Sequence, residues 1–323
     1  MNINYWNGKR VLITGHEGFI GSNLARKLIR AGAKLTGIDK VPKRKLSVLS
    51  DMRGKLVRVT GDISGKDLVA RVVKRARPEV VFHLAAESIV IKARQNPIRS
   101  LRSNIEGTWN VMESLRDKKY VEAVLVASSD KAYGISKKLP YTEDTPLNGL
   151  YLYNASKTCA DILARSYYAS YGLPACVIRC GNIYGPGDHN FSRLVPDAIR
   201  KAIRNERLYI RSDGAFTRDY IYVDDVVNGY ILLAENVKRK KLGGEAFNLG
   251  TGNPSSVTGI FKKIEKIFDK HLKKPVILNK AQGEIRHQRL SSKKADRILG
   301  WRALYSLEDG LMETVNWYRK WIS

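Results

Sequence analysis

In the run Tyr153-Asn154-Ala155-Ser156-Lys157 a phenol and an ammonium stand four residues apart. On a helix that spacing puts both on one face. Tyr153 opens a helical pattern that continues through Ala155, Cys159, Ile162, Leu163 and Tyr167. Such a pair offers proton removal from an alcohol. The ammonium stabilises a phenolate and lowers the tyrosine pKa, and the phenolate takes the hydroxyl proton as hydride leaves the carbon. A second Tyr-x-x-x-Lys, from Tyr133 to Lys137, is set aside because Gly134 and Pro140 make that region a poor helix. Upstream, Ser128-Ser129-Asp130-Lys131 follows an apolar run ending near Ala127. In isolation Asp130-Lys131 would be a solvated loop pair. At the carboxyl end of a strand in an α/β sheet it stands where ligands bind.

Hydride transfer needs an acceptor, and the N-terminal segment supplies a place for one. Gly15-His16-Glu17-Gly18-Phe19-Ile20-Gly21 lies between a short apolar run, Val11-Leu12-Ile13-Thr14, and a helical pattern with Leu24, Leu28 and Ile29 on one side. Gly32 stops that helix, and Asp39 ends the next apolar run. This is the order of a dinucleotide-binding βαβ unit. Gly15, Gly18 and Gly21 permit a tight turn and close backbone approach to pyrophosphate, while the helix N-terminus offers N–H groups and a positive dipole end. Asp39 accepts from ribose hydroxyls and repels a 2′-phosphate, which favours NAD over NADP. Lys40, Lys43 and Arg44 follow it and temper that preference.

Strand-like runs near 10–14, 34–38, 56–59, 79–84, 122–127, 174–180 and 245–249 alternate with helical ones near 21–31, 65–75, 92–118 and 153–171. Alternation of this kind predicts an α/β fold with a parallel, doubly wound sheet. From Asn182 onward the chain is richer in Gly, Pro and Arg, with helices near 193–205, 224–236, 256–269 and 306–320. We expect a nucleotide domain over 1–180 that also receives about 219–249. A smaller C-terminal lobe is expected from 181–218 and 250–323.

The 323 residues are 43% hydrophobic, ordinary for a globular protein. No apolar run approaches the roughly 20 residues of a membrane span, and the first residues lack the apolar centre of a signal peptide. Cys159, Cys176 and Cys180 have no metal-ligand spacing and read as reduced, packed thiols of a cytoplasmic protein. No metal is expected. The formal charge of +26 suggests a polyanion partner. However, the basic residues are spread along helix faces, as in Ile260-Phe261-Lys262-Lys263-Ile264-Glu265-Lys266. Solvated faces are the better reading, with neither nucleic acid nor membrane as partner.

Taken together, these motifs resemble the extended short-chain dehydrogenase/reductase family of NAD-dependent epimerases and dehydratases. The resemblance runs nearly end to end: Gly15-x-x-Gly18-x-x-Gly21, Asp39, Asp62-Ile63, His83-Leu84-Ala85-Ala86, Asn104-x-x-Gly107-Thr108, Ser128-Ser129, Tyr153-x-x-x-Lys157, Gly181-Asn182-Ile183-Tyr184-Gly185-Pro186-Gly187 and Arg218-Asp219-Tyr220-Ile221-Tyr222-Val223-Asp224-Asp225. It implies a Rossmann sheet of about seven strands, a C-terminal nucleotide-sugar lobe and a homodimer formed through the helices near 92–118 and 153–171. Phe19, Ile20, Lys40, Asp62, Ile63, Leu84, Ala85, Ala86 and Cys180 would line NAD beside Tyr153 and Lys157. Ser88, Asn104, Asn182, Arg193, Arg218 and Arg286 would meet the nucleotide sugar, the arginines at phosphate or base.

The same resemblance gives Ser129 an alcohol-binding role. Members that only epimerise C4 carry small residues at the next two positions, whereas members that dehydrate carry an acid followed by Glu or Lys. A 4-keto sugar has an acidic C5 hydrogen. A base, Lys131, would remove it while an acid, Asp130, protonates the departing C6 hydroxyl. The Asp-Lys order, Asp188-x-Asn190-Phe191-Ser192-Arg193 and Glu284-Ile285-Arg286-His287-Gln288 are similar to the CDP-glucose 4,6-dehydratases. Ala86-Glu87-Ser88 is closer to the dTDP-glucose enzymes, so the base stays open. The alternatives are a 4-epimerase on the same scaffold and, remotely, a non-catalytic RNA-binding protein.

Overall fold

The computed structural model describes residues 1–43, 47–52, 54–136, 138–269, 271–281 and 284–322. Arg44 and Lys137, named above, lie outside the described residues. After a first turn of helix, α1 (Ile3–Trp6), the chain builds a seven-stranded parallel sheet. Its strands are β1 (Arg10–Thr14), β2 (Lys34–Asp39), β3 (Leu56–Thr60), β4 (Val80–His83), β5 (Ala123–Ala127), β6 (Ala175–Cys180) and β10 (Ala246–Leu249), in the order β10-β6-β5-β4-β1-β2-β3. Consecutive apolar residues serve both faces. Val11, Ile13, Phe82 and Leu125 join one buried cluster, and Leu12, Val81, Val124 and Val126 join the other. A sheet covered on both sides needs such unbroken apolar strands.

Five helical segments precede the second half: α2 (Phe19–Arg30), α3 (Lys66–Ala76), α4 (Val90–Gln95), α5 (Pro97–Leu101) and α6 (Gly107–Leu115). The single helix expected over 92–118 is therefore broken. Asn96 leaves helical geometry and caps α5 by accepting from the Arg99 N–H at 3.2 Å, with Pro97 filling the first helical position. A wider π turn, Arg102–Glu106, then leads into α6. Next comes α7 (Leu152–Tyr171), ended by Gly172 in the left-handed region at φ +69°.

Beyond β6 the chain forms two small sheets that the sequence reading did not predict. One holds β7 (Asn182–Tyr184), β9 (Thr217–Tyr222) and β11 (Pro254–Ser256), and the other pairs β8 (Tyr209–Ile210) with β12 (Val276–Ile277). Around them lie α8 (Leu194–Ile203), α9 (Val223–Val237), α10 (Val257–Phe268), α11 (Lys293–Leu299) and α12 (Leu307–Ile322). The order of the main sheet reverses between β1 and β4. A doubly wound sheet opens a crevice at the carboxyl ends of such a strand pair. Among the described residues no helix is long and apolar enough to cross a membrane.

Candidate active site

The glycine-rich loop occupies that crevice. Gly15 leaves β1 at φ +79°, where a Cβ would stand 2.8 Å from the Ala85 nitrogen just beyond β4. A Cβ at Gly21 would stand 2.1 Å from the Gly15 carbonyl. The loop is thus folded as tightly as a pyrophosphate cradle requires. Gly18 starts α2 with no side-chain cap and no acidic residue in its first turn, so the positive end of the helix faces the loop. Asp39 closes β2 with its carboxylate accepting the Glu17 and Val41 N–H groups at 2.9 and 3.0 Å, and each oxygen keeps a lone pair for a ribose hydroxyl. Lys40 is paired with Asp62 at 2.9 Å, beside a cavity of about 370 Å³ that Arg99 and Arg102 also line. Ile63 is only 3% exposed and packs over Gly107, so Asp62 is the accessible member of that pair. Leu84, Ala85 and Ala86 run on from β4 half-buried along the loop.

Helix α7 carries Tyr153 and Lys157 one turn apart, both buried. The Lys157 ammonium donates to the Ala127 carbonyl at 2.8 Å. Burial pulls Lys157 down to about 8 against the opposing charge of Asp161. Burial also pushes the Tyr153 phenol up to about 12. The Arg193 guanidinium opposes that rise, Asp130 adds to it, and a hydrogen bond with Ser129 opposes it. The sequence reading expected a tyrosine lowered by its lysine. Here desolvation dominates, and the positive charge that opposes it comes from Arg193 rather than from Lys157.

Ser129, Asp130 and Lys131 follow β5 in a short 3₁₀ turn. The Ser129 hydroxyl donates to Asp130 Oδ1 at 3.0 Å and accepts the Lys131 N–H at 3.2 Å. Asp130 is 1% exposed, and its Oδ2 has no hydrogen-bond partner among the described residues. Lys131 Nζ lies 3.5 Å from Asp130 Oδ1 and donates to Asn182 Oδ1 at 3.2 Å. Ser129, Asp130, Lys131 and Asn182, the first residue of β7, therefore meet. Cys180 is buried, and burial pushes its thiol far above the ordinary range, with Asp130 and Asp219 adding to the rise.

The expected substrate residues divide into two groups. Arg193 is held by Asp188 at 3.0 Å and reaches Ser88 Oγ at 3.5 Å, and its field falls on Tyr153. It therefore lies toward Tyr153 rather than toward Arg218 and Arg286. Arg218 donates to the Thr217 and Arg286 carbonyls at 2.9 and 3.1 Å, and Arg286 pairs with Asp213 at 2.8 Å. Phe216 lies between these two guanidinium groups, 5.7 and 5.5 Å from its ring centre. Asn104 is 1% exposed, and its amide accepts from Glu87 N at 2.7 Å and donates to Glu87 O and Ser156 Oγ at 3.2 and 2.9 Å. Both amide hydrogens are spent within the chain, and one carbonyl lone pair is left over. The carboxylates that steady the arginines, Asp188, Asp213 and Glu284, were not singled out for that role. Their only sequence signal is proximity to arginine-bearing motifs.

A Rossmann sheet with a glycine cradle and a buried Tyr-Lys pair defines an NAD-binding α/β enzyme scaffold. The pattern of the NAD dependent epimerase/dehydratase family matches residues 11–250, and the chain belongs to that family. It is 30% identical to the dTDP-glucose 4,6-dehydratase of Xanthomonas campestris, over 95% of this chain and 92% of that protein. It is 28% identical to the CDP-glucose 4,6-dehydratase of Salmonella typhimurium, over 99% and 93%. The crystal structure of UDP-glucose 4-epimerase from Thermotoga maritima, holding UDP-glucose, superposes with a TM-score of 0.88 at 31% identity, covering 97% of this chain and 99% of that one. NAD is the cofactor of this family, and the loop from Gly15 to Gly21 with Asp39 fits it.

Proposed function

We propose that the protein is a nucleotide-sugar 4,6-dehydratase, converting CDP-glucose to CDP-4-keto-6-deoxyglucose. The observation that carries this reading is the Asp130–Lys131 pair beside Ser129, with Asp130 buried and one of its oxygens uncommitted. Epimerisation at C4 needs no such acid and base, whereas elimination across C5 and C6 needs both. When bound, NAD supplies the acceptor for the C4 hydride and later the donor at C6. Tyr153, in its phenolate form, takes the O4 proton, and Ser129 holds that oxygen. Lys131 removes the C5 proton as Asp130 protonates the leaving C6 hydroxyl. The state this requires, a neutral amine beside a carboxylic acid, is reached from the ion pair by moving one proton within it, so the two act as a coupled unit. Arg193, Arg218 and Arg286 would carry the phosphates and frame the sugar.

Incubation with CDP-glucose, dTDP-glucose, UDP-glucose and GDP-mannose without added NAD, followed by mass spectrometry, tests this. Loss of one water from one of them supports the reading and identifies the base. A second reading, 4-epimerisation, draws on the likeness to UDP-glucose 4-epimerase. Unchanged mass with an altered C4 configuration would select it. We further infer a homodimer through α6 and α7, where Trp109 and Ile162 are 44% and 51% exposed on the outer faces.

A further inference from the structure

A line of buried polar groups runs between the cofactor loop and the catalytic helix, and it includes residues given no role so far. His83 ends β4 at 3% exposure. Its Nδ1 lies 2.8 Å from Thr14 Oγ1, and its Nε2 lies 3.0 Å from Thr108 Oγ1. Thr14 is the last residue before Gly15, and its hydroxyl accepts the Ala85 N–H at 3.2 Å. Thr108 donates to the Asn104 carbonyl at 2.6 Å. The Asn104 amide donates to Ser156 Oγ at 2.9 Å, and Ser156 donates to the carbonyl of Tyr153 at 2.8 Å.

The direction of every link is fixed. Thr108 has one hydroxyl hydrogen and spends it on Asn104, so towards His83 it can only accept. The imidazole must therefore carry its proton on Nε2. Nδ1 is then an acceptor, and the Thr14 hydroxyl donates to it while accepting from Ala85. A second proton on the ring would set Nδ1–H against the Thr14 hydroxyl hydrogen. Burial, with Lys157 as the charged neighbour, pushes His83 down to about 3. The chain passes through Asn104 inside the π turn Arg102–Glu106, the kind of local widening that recurs at functional sites.

We propose that His83 is a positioning residue whose single-tautomer imidazole couples the glycine-rich loop to the backbone of Tyr153. It sets the phenol's place relative to the cofactor without touching substrate. Proton removal by Tyr153 begins both dehydration and epimerisation, so the proposal holds for either product.

Thr108→Val removes the hydroxyl at constant shape. It should lower kcat by roughly tenfold or more, since misplacing catalytic groups by about an ångström costs on the order of a hundredfold. KM for the sugar nucleotide and retained NAD should stay unchanged. Thr108→Ser, which keeps the hydroxyl, should restore most of the turnover. Independently of activity, ¹⁵N-histidine NMR should show one ring with its proton on Nε2 and no titration between about pH 5 and 8. That signal is assigned by its loss in His83→Phe or, if that variant does not fold, by its shift in Thr108→Val. Full turnover in Thr108→Val, an Nδ1–H tautomer, or a His83 ring that titrates in this range would each overturn the coupling. A failure of dehydration alone would leave the NMR result standing.

Discussion

The proposed reaction gives separable tasks to side chains in the cleft. Tyr153→Phe keeps the ring and deletes the proton acceptor, so turnover should fall by roughly 10²- to 10⁴-fold with the circular dichroism spectrum intact. Asp130→Asn should leave C4 oxidation in place and stop loss of water, so that reduced nicotinamide absorbance accumulates on the enzyme after sugar nucleotide is added. Lys157 gives a pH signature. Its folded value, about 8, lies below the ordinary 10.5 because it is buried. Between those values the unfolded chain binds the additional proton, so stability rises as pH increases through that window and the burial penalty is full below it. Lys157→Met should remove that rise, about 2 kcal/mol between pH 8 and pH 10, as read by urea unfolding at those two values. The types and spacing of Tyr153, Lys157, Ser129, Asp130 and the three glycines were legible in the sequence, because local geometry sets them. The sign of the Tyr153 shift and the aim of Arg193 were not, because the burial of Tyr153 and the approach of Arg193 to Ser88, 105 positions away, depend on segments far apart in sequence.

Among the elements, α7 depends on a pair hidden from solvent. Arg179 of β6 grips Asp161 of α7 through two bonds of 2.8 and 2.9 Å, both side chains at 1% exposure or less. Asp161→Ala would strand a buried guanidinium and should cost about 3–5 kcal/mol by urea unfolding. Replacing both partners with apolar residues should cost much less. Strands β1, β4, β5 and β6 could be read in advance because burial on both faces demands nearly continuous apolar runs. The strand β9 could not. Thr217-Arg218-Asp219-Tyr220-Ile221-Tyr222 reads as polar, yet Asp219 is fully buried and accepts from Thr251 and Gly252. The break in the helix expected over 92–118 was signalled by Asn96-Pro97, whereas the π turn leaves no mark in side-chain type.

Across the whole molecule, the +26 charge is distributed rather than focused. On α10, Lys262 and Lys266 are exposed while Ile260, Phe261 and Ile264 are buried, which is the arrangement of a solvated helix face. The outer surfaces of α6 and α7 differ, since they expose large apolar side chains. Trp109→Glu combined with Ile162→Glu should convert the proposed dimer to monomers in sedimentation velocity.

The seventh strand, β10, is made late. It is the outermost strand of the main sheet and pairs with β6, yet about 65 residues separate the two along the chain. During synthesis, β6 therefore emerges from the ribosome with a bare backbone edge that waits while β7, β8, β9 and α9 follow. An unprotected edge of that kind invites pairing with a neighbouring polypeptide. A single cut after β6 would accordingly divide the main sheet itself, leaving β10 on the other fragment. A nascent chain stopped after β6 would carry a nucleotide cradle and an adhesive border together.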